Sequence, residues 1–204
     1  MEIMERALAL LQDGKPARVL ELSKEEKPIF KQMALLTSKP VLYVCNVEEE
    51  AAAEGNANSQ RVAEMADATG AQAVVISAAI EAEVAQLESE EEKQEFLESL
   101  GLEETGLARV IRAGFTLLDQ ISFFTVGPKE ARAWTVKAGS KAPQAAGVIH
   151  TDFERGYICA ETIAYDDYVE AGSEAAAKEA GKMRLEGRDY IAKDGDVFHF
   201  RFNV

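Results

Sequence analysis

The stretch SKPVLYVCNVEEE, Ser38 to Glu50, contains the segment that decides the fold. Its centre, Val41 to Cys45, is a short apolar run rich in β-branched and aromatic residues, and Lys39-Pro40 comes directly before it. A continuous apolar run of this length predicts a fully buried strand of a parallel sheet. The strand is predicted to end at Asn46, where a polar and acidic loop begins.

A helix and a second strand are predicted after this loop. Apolar residues at helical spacing predict a helix over residues 59–68, with Val62 and Met65 facing inward, and Gly70 closes it. Residues 73–76, Ala-Val-Val-Ile, form another short apolar run. A strand, a helix and a strand in this order predict a βαβ unit of a doubly wound parallel sheet.

The two predicted strands end in residues that are suited to contact a nucleotide. Ligands of open α/β sheets bind beyond the carboxyl ends of the strands, and GTPases carry Asn-Lys-x-Asp at this place, whose carboxylate accepts two N–H groups of guanine. Here the corresponding residues are Asn46-Val47-Glu48-Glu49, and the second strand ends in Ser77. The residues alone leave three alternatives open: an altered guanine site, a site for another base, or a polar turn with a solvated acidic run.

Helices are predicted on both sides of the βαβ unit. An amino-terminal helix covers residues 1–12, and a second helix opens with a capping box at Ser23 and Glu26 and continues through Leu36. Downstream, another capping box opens a helix over residues 89–100. Residues 105–118 form a helix with one apolar stripe, made of Leu107, Val110, Ile111, Phe115 and Leu118. Both downstream helices are predicted to bury a stripe against a sheet.

The hydrophobic period changes from 3.6 to 2 after residue 120. Residues 121–126 and 131–137 predict a hairpin that turns at Gly127-Pro128. A second hairpin is predicted within residues 190–202, around the turn Asp194-Gly195. Together with predicted helices near residues 143–148 and 173–180 and a strand over 157–163, the hairpins indicate a small α+β grasp-like sheet.

Composition and charge limit the possible partners. The net charge is −14, and residues 1–120 carry 11 basic and 23 acidic side chains, a net of −12, whereas residues 121–204 carry 11 and 13, a net of −2. DNA specificity is not expected, and contact with RNA is expected only through residues 121–204. No apolar run is long enough for a membrane span and the amino terminus does not resemble a signal peptide, so a cytoplasmic protein without a membrane partner is expected.

Few residues outside the strand ends suggest chemistry. Cys45 and Cys159 have no spacing typical of a zinc site or a disulfide, so buried free thiols are expected. His150 and His199 have no neighbouring His or Cys, and no metal site is expected. Trp134 is expected to pack in a core rather than to stack on a base.

A family resemblance covers nearly the whole chain. The segments APQAAGVIHTDFERGYICAETIAYDDY, residues 142–168, and EAGKMRLEGRDYIAKDGDVFHFRFNV, residues 179–204, resemble the TGS domain that ends the YchF-type, Obg-like P-loop ATPases. LTSKPVLYVCNVEEE, residues 36–50, and VVISAAIEAEVAQL, residues 74–87, resemble the second half of the same family's nucleotide-binding domain.

The resemblance implies a fold class and three segments. Residues 1–40 would be the return arm of a helical, coiled-coil insertion, and residues 41–120 the carboxyl-terminal half of an α/β P-loop nucleotide-binding domain. Residues 121–204 would be an α+β, ubiquitin-like (β-grasp) TGS domain. By this resemblance, the chain corresponds to the carboxyl-terminal portion of a longer protein.

The resemblance also implies which residues contact the base. The family's loop resembles Asn-x-x-Glu and its members prefer ATP to GTP, which assigns base contacts to Asn46, to the backbone near Val47, and to Glu49. An aspartate placed for guanine would leave the N1 acceptor of adenine facing a like acceptor, whereas the longer Glu49 can turn away. The backbone of Ser77, Ala78 and Ala79 resembles the family's last base-contacting loop.

The motifs that hold phosphate are absent from this sequence. No stretch reads Gly-x-x-x-x-Gly-Lys-Ser/Thr, and no Asp-x-x-Gly precedes Asn46 to hold a γ-phosphate and its Mg²⁺. No catalytic residue is therefore assigned, and the chain alone is expected to hydrolyse neither ATP nor GTP. ATP or GTP with Mg²⁺ is expected in the complete protein, and no cofactor bound tightly to this chain alone.

Two classes of function remain from the sequence. The first, which the family resemblance implies, is part of a ribosome-associated switch that binds and hydrolyses a purine nucleotide. The second is a stand-alone TGS module that binds RNA or protein. In either class Lys182, Arg184 and Arg188 are the candidate contacts to RNA phosphate, and a solvated helix end is the alternative interpretation of this basic cluster.

Overall fold

In the computed structural model, which describes residues 2–203, the chain divides into two units between Leu117 and Leu118. The first unit holds a parallel two-stranded sheet of β1 (Leu42–Asn46) and β2 (Gln72–Ile76), in register from Leu42 opposite Gln72 to Asn46 opposite Ile76. Its helices are α1 (Glu2–Gln12), α2 (Glu26–Gln32), α3 (Ala57–Ala68), α4 (Ala78–Val84), α5 (Glu90–Ser99) and α6 (Gly106–Leu117). Short 3₁₀ turns cover Ala17–Val19, Leu36–Ser38 and Glu49–Ala51.

The predicted βαβ unit and the capping box of α5 are confirmed. α3 connects the parallel strands β1 and β2. The Ser89 hydroxyl accepts a hydrogen bond from the Glu92 N–H at 3.1 Å, and the Glu92 carboxylate accepts one from the Ser89 N–H at 3.3 Å. These features depend on residues three apart or on one short run, so local sequence is sufficient to predict them.

The predicted burial of the first unit is wrong at several positions. β1 is not fully buried, since Val44 is 47% exposed, and Met65 of α3 is 45% exposed, contrary to its predicted inward orientation. Leu107 and Ile111, in the predicted stripe of α6, are exposed as well. For β1 the physical reason is that the described part of the first unit contains only two strands, so β2 is its single pairing partner. One edge of β1 is therefore left without a neighbouring strand.

α2 is shorter than predicted. The capping box at Ser23 forms, with the Glu26 N–H donating to the Ser23 hydroxyl at 3.3 Å, but the helix ends at Gln32. Ala34 has a φ of 49°, which turns the backbone out of the helical path, and Leu36 is exposed. The helical spacing of Leu36 predicted one more turn of α2, but the backbone leaves the helix before this residue.

The second unit is a five-stranded mixed sheet with helices. Its strands are β3 (Gln120–Val126), β4 (Ala131–Lys137), β5 (Tyr157–Ala164), β6 (Arg184–Glu186) and β7 (Asp196–Phe202), in the spatial order β4-β3-β7-β5-β6. β3 and β7 run parallel and the other neighbours are antiparallel. The helices are α7 (Ala142–Ile149), α8 (Thr151–Arg155), α9 (Tyr165–Ala171) and α10 (Glu174–Glu179).

The first predicted hairpin is confirmed, and the second is wrong. β3 and β4 pair over seven positions, from Gln120 opposite Lys137 to Val126 opposite Ala131. β7 does not pair with residues 190–192; it lies between β3 and β5. Ile191 instead makes an isolated bridge with Lys141. The turn signal at Asp194-Gly195 is correct, but β3 and β5 provide the partners on both edges of β7.

Aromatic side chains form the main core of the second unit. Phe123 and Phe198 are almost fully buried, with ring centroids 5.6 Å apart in an edge-to-face arrangement, and Phe200 joins them. Alanines of α7 pack on the same cluster. Burial of one such ring contributes about 1.5–3 kcal/mol to folding.

Tyr190 packs against this core, and its hydroxyl donates a hydrogen bond to Asp196. Burial and this hydrogen bond together raise the pKa of Tyr190 to about 12.

Both cysteines are free thiols and are only half-buried, although buried thiols are expected from the sequence. Each lies in a strand, Cys45 in β1 and Cys159 in β5.

Over residues 2–203, no helix combines the length and the apolar character needed to cross a bilayer.

Candidate functional site

The side chain of Asn46 joins the loops that follow the two parallel strands. Its Oδ1 atom accepts a hydrogen bond from the backbone N–H of Ala78 at 2.8 Å. Asn46 and Ile76 lie opposite each other in the register, so the carboxyl ends of β1 and β2 lie side by side. An N–H group can bond only to an acceptor, which fixes the orientation of the amide. The Nδ2 group, an exposed donor, has no acceptor among the described residues.

Val47, the residue after Asn46, is held within the fold. The Val47 side chain is buried, and its N–H donates to the Ile76 carbonyl at 2.9 Å. The Val47 N–H is therefore already bonded within the fold and is not free to contact a base, as the expected backbone contact would require. The Val47 side chain anchors the loop.

The two neighbouring glutamates are separated by their contacts. The Glu48 carboxylate accepts from the Asn56 amide at 3.1 and 3.3 Å. Glu49 begins a 3₁₀ turn and is exposed. Of the two acidic side chains, Glu48 is therefore held by the loop, and Glu49 faces solvent.

The second loop begins at a buried serine. Ser77 is 2% exposed, and its hydroxyl oxygen is buried without a hydrogen-bond partner in the described structure. Ala78 and Ala79, both exposed, form the first turn of α4, where backbone N–H groups have no partner within the helix. Asn46 takes one of these donors. The exposed part of the loop therefore offers backbone donors to a polar ligand, whereas the Ser77 hydroxyl is enclosed by the fold.

A carboxylate outside the predicted site holds α4 in place. Glu81 accepts from the N–H of Gly106 at 2.6 Å and from that of Leu107 at 3.2 Å, so it caps the start of α6. The contact joins residues 25 positions apart, and no local pattern in the sequence predicts it. Arg109 of α6 also donates to the Ala52 carbonyl at 3.2 Å. Both contacts hold the two strand-end loops against α6.

An open cleft of about 450 Å³ runs along the free edge of β1. It is lined by side chains of β1, of the following loop and of α3, including Asn46, Val47, Glu48 and Asn58. Among the expected base contacts, only Asn46 and Val47 line this cleft; Glu49 and residues 77–79 do not. Asn46 is thus the expected residue that belongs both to the cleft and to the contact between the loops.

The three basic residues singled out for RNA make contacts within the second unit. Lys182 lies 2.9 Å from Asp167, and this hydrogen bond raises the pKa of the Lys182 ammonium group. Arg184 pairs with Glu186 at 3.1 Å and lies 3.6 Å from the buried Asp196. The Arg188 guanidinium donates to the Tyr157 carbonyl at 2.6 Å. The charges of Lys182 and Arg184 are therefore partly neutralised by carboxylates, and Arg184 and Arg188 have structural roles within the unit.

Two other candidates have structural contacts. The Trp134 ring packs at the edge of the aromatic core, and its indole N–H donates to the Thr125 hydroxyl at 2.9 Å. The Arg132 guanidinium lies 4.1 Å from the ring centroid. His150 precedes α8, where its Nδ1 accepts from the Asp152 N–H at 3.2 Å.

The family model described as "YchF-GTPase_C: Protein of unknown function (DUF933)" matches residues 120–203. The chain is 51% identical over 205 residues to the "Ribosome-binding ATPase YchF" of Bacillus subtilis (strain 168), covering 100% of this chain and 56% of that protein. It is 43% identical over 199 residues to "Obg-like ATPase 1" of Rattus norvegicus, covering 96% of this chain and 50% of that protein. The chain spans about half the length of the curated relatives it matches.

A solved structure has the same mixed α/β fold. The structure described as "Structure of the Schizosaccharomyces pombe YchF GTPase" superposes with a TM-score of 0.81 at 33% sequence identity. The match covers 98% of this chain and 53% of that chain.

Proposed function

The chain belongs to the YchF family of Obg-like ATPases, and from this membership we propose that it supplies the base-contacting part of a purine-nucleotide site. The observation that carries the proposal is the hydrogen bond from the Ala78 N–H to Asn46 Oδ1 at 2.8 Å. This bond brings together the two loops where an open α/β sheet binds its ligands.

The free polar groups at these loops favour a purine. Nδ2 of Asn46 is left to donate to a purine ring nitrogen, and the exposed first-turn N–H of Ala79 adds a backbone donor in the second loop. Glu49 faces solvent in the first loop, which is compatible with a longer carboxylate turned away from adenine. We propose a preference for ATP over GTP on this basis.

The preference can be tested in a full-length protein. We would replace the corresponding segment of the Bacillus subtilis relative with this chain, and we refer to this protein as the chimaera. Calorimetric titration with ATP and GTP, each with Mg²⁺, should show tighter binding of ATP. Tighter binding of GTP would contradict the proposed role of Asn46-x-x-Glu49.

The phosphates and Mg²⁺ would be held by residues outside this chain. The chain has no Walker A motif, and positioning of phosphate and metal provides most of phosphoryl-transfer catalysis. The free edge of β1, with Val44 and Met65 exposed, is where a further part of a longer family protein would complete the sheet. We therefore propose hydrolysis as an activity of the longer protein and not of this chain alone.

For residues 121–204 we propose a TGS domain with a β-grasp fold. The support is the strand order β4-β3-β7-β5-β6, in which the last strand enters between the first strand and the third. A hairpin, the helix α7 and then the remaining strands follow in the order of a β-grasp. By the same proposal, residues 41–120 are the second half of the nucleotide-binding domain and residues 1–40 belong to a helical insertion.

We propose the ribosome as the partner, because the Bacillus subtilis relative is named a ribosome-binding ATPase. A ribosomal partner would place the protein in the cytoplasm. RNA contact is proposed for residues 121–204, since the −12 charge of residues 1–120 repels a phosphate backbone over about 8 Å at physiological salt. A stand-alone module that binds RNA or protein is the second candidate, since residues 118–204 form a compact unit of their own.

A salt series separates these proposals. Replacement of Lys182, Arg184 and Arg188 by alanine is expected to weaken ribosome binding by the chain. It should also make the slope of log K against log[salt] less negative by about 0.7–0.9 for each phosphate that is no longer neutralised. The matched control replaces Lys24, Lys27 and Lys31, three exposed residues of the acidic first unit, and should leave the slope unchanged.

Circular dichroism must accompany the salt series, because Arg184 and Arg188 have contacts within the fold. An unchanged slope in a folded triple variant would assign these side chains to a solvated surface. Loss of binding only in the control would place the RNA-binding surface in residues 1–120 and contradict the proposal. Binding with no salt dependence would favour a protein partner.

A further inference from the structure

Three side chains with metal-binding atoms converge on one face of the second unit. Glu161 of β5 and His199 of β7 lie directly opposite each other in the antiparallel register. Glu174 begins α10, which packs on the same face. One ligand atom from each residue lies within 4.8 Å of the others.

The fold holds this arrangement from two sides. Side chains directly opposite on antiparallel strands have Cβ atoms about 4.5–5.5 Å apart, so the register alone places Glu161 beside His199. α10 is fixed against the same two strands, because the buried Ala177 packs with Ile163 and Val197. Glu174, one turn before Ala177, is therefore positioned by core packing rather than by a flexible loop.

A small cavity lies between these groups. Its volume is about 10 Å³, and Glu161, Glu174 and His199 form its polar wall, while Val126 and Ile163 belong to its apolar wall. This is about the space that one water-sized sphere occupies. This space matches a single ion whose ligands are the side chains of the polar wall.

An arginine orients one of the carboxylates. The Nε and Nη2 atoms of Arg201 both donate to Glu161 Oε2, at 3.1 and 2.9 Å. Oε1 of Glu161 has no hydrogen bond from the described residues and remains available. Two carboxylates against one guanidinium leave a net charge of about −1 when the imidazole is neutral, which favours a cation. Partners that orient a ligating carboxylate in this way are a usual part of metal sites.

We propose that Glu161, Glu174 and His199 bind one divalent transition-metal ion of the Zn²⁺ type. An imidazole nitrogen with two carboxylate oxygens suits Zn²⁺ or Co²⁺, whereas Mg²⁺ and Ca²⁺ prefer ligand sets made of oxygen alone. Water completes the coordination on the exposed side of His199. The ion joins β5, β7 and α10, so its binding stabilises the second unit. This site is separate from the nucleotide contacts proposed for the first unit.

Cobalt titration of the full chain tests the proposal. Co²⁺ is expected to bind with one ion per chain, followed by its visible absorption, and Zn²⁺ should displace it. His199→Asn and Glu174→Gln, changes on two different elements, should each weaken binding by about tenfold or more. His150→Asn is the matched control, because His150 is exposed and its Nδ1 lies 3.5 Å from Asp152, but within residues 2–203 it belongs to no three-residue cluster of this kind. It should change the affinity by less than about twofold.

Three results would overturn the proposal. They are the absence of saturable Co²⁺ binding, equal affinity in the two site variants and the unmodified chain, and a decrease in affinity in His150→Asn as large as that in His199→Asn. An intense near-ultraviolet charge-transfer band that Cys159→Ala abolishes would assign the ion to a thiolate and would also contradict the proposed ligands. Circular dichroism of each variant keeps loss of binding distinct from loss of folding.

Discussion

Replacement of Asn46 by aspartate is expected to weaken ATP binding by the chimaera by about 1–3 kcal/mol. The aspartate keeps an acceptor for the Ala78 N–H, so the contact between the two loops remains. It removes the Nδ2 donor and places a negative charge where a purine ring nitrogen accepts. The measurement is calorimetric titration of ATP with the unmodified chimaera and with the variant.

Asn58→Asp is the matched control for this change. Asn58 is exposed and lines the same cleft, so the substitution adds the same charge without removing the donor of Asn46. Its effect on ATP affinity is expected to be clearly smaller. If the two substitutions reduce the affinity equally, general repulsion between the cleft and the nucleotide explains the result, and the specific contact by Asn46 is wrong.

Replacement of Gly106 by alanine is expected to lower the free energy of unfolding of the first unit by about 1–3 kcal/mol. A Cβ atom at this position would lie 2.9 Å from two side-chain carbons of Ile76 and 3.0 Å from Glu81 Oε1. Ile76 ends β2, and Glu81 holds α4 against α6. The added methyl group therefore strains the contacts that position the second loop.

Gly114→Ala in the same helix is the control. No atom lies within 4 Å of a Cβ built at Gly114, so this variant should gain about 0.5–1 kcal/mol from helix propensity. Urea unfolding followed by far-ultraviolet circular dichroism measures both variants. The single tryptophan, Trp134, lies in the second unit, and its fluorescence reports that unit separately. Unfolding of Gly106→Ala at the same urea concentration as the unmodified chain would contradict the predicted steric strain.

Local sequence determined the elements whose signals lie close together along the chain. The apolar runs at residues 41–45 and 73–76, separated by one helical segment, were enough for the parallel βαβ unit. The capping box at Ser89 needs only residues three apart, and the first hairpin needs one turn between two runs of period 2. Asn46 was identified by its position at the end of a strand, which the residues themselves mark.

The structure alone decided which side chains meet across the fold. The bond from Ala78 to Asn46 joins residues 32 positions apart, and Lys182, a candidate for free RNA contact, pairs with Asp167. β7 took its partners from β3 and β5, so the late hairpin predicted from a turn signal did not form. Strand pairing partners and ion pairs depend on the spatial order of elements, which periodicity does not specify.

The burial of apolar residues and the cluster around His199 were also decided by the tertiary structure and not by local sequence. An apolar run indicates that a segment can be buried, but Val44 is exposed in β1, which has no third strand beside it in the described first unit, and Met65 is exposed in α3. His199 has no metal-binding neighbour in the sequence, yet the register places Glu161 opposite it and the packing of α10 brings Glu174 close. The sequence by itself determined the βαβ unit, the first hairpin and the end of β1 at Asn46. The contacts among distant residues were decided by tertiary structure, since they follow from strand order, register and packing of the folded chain.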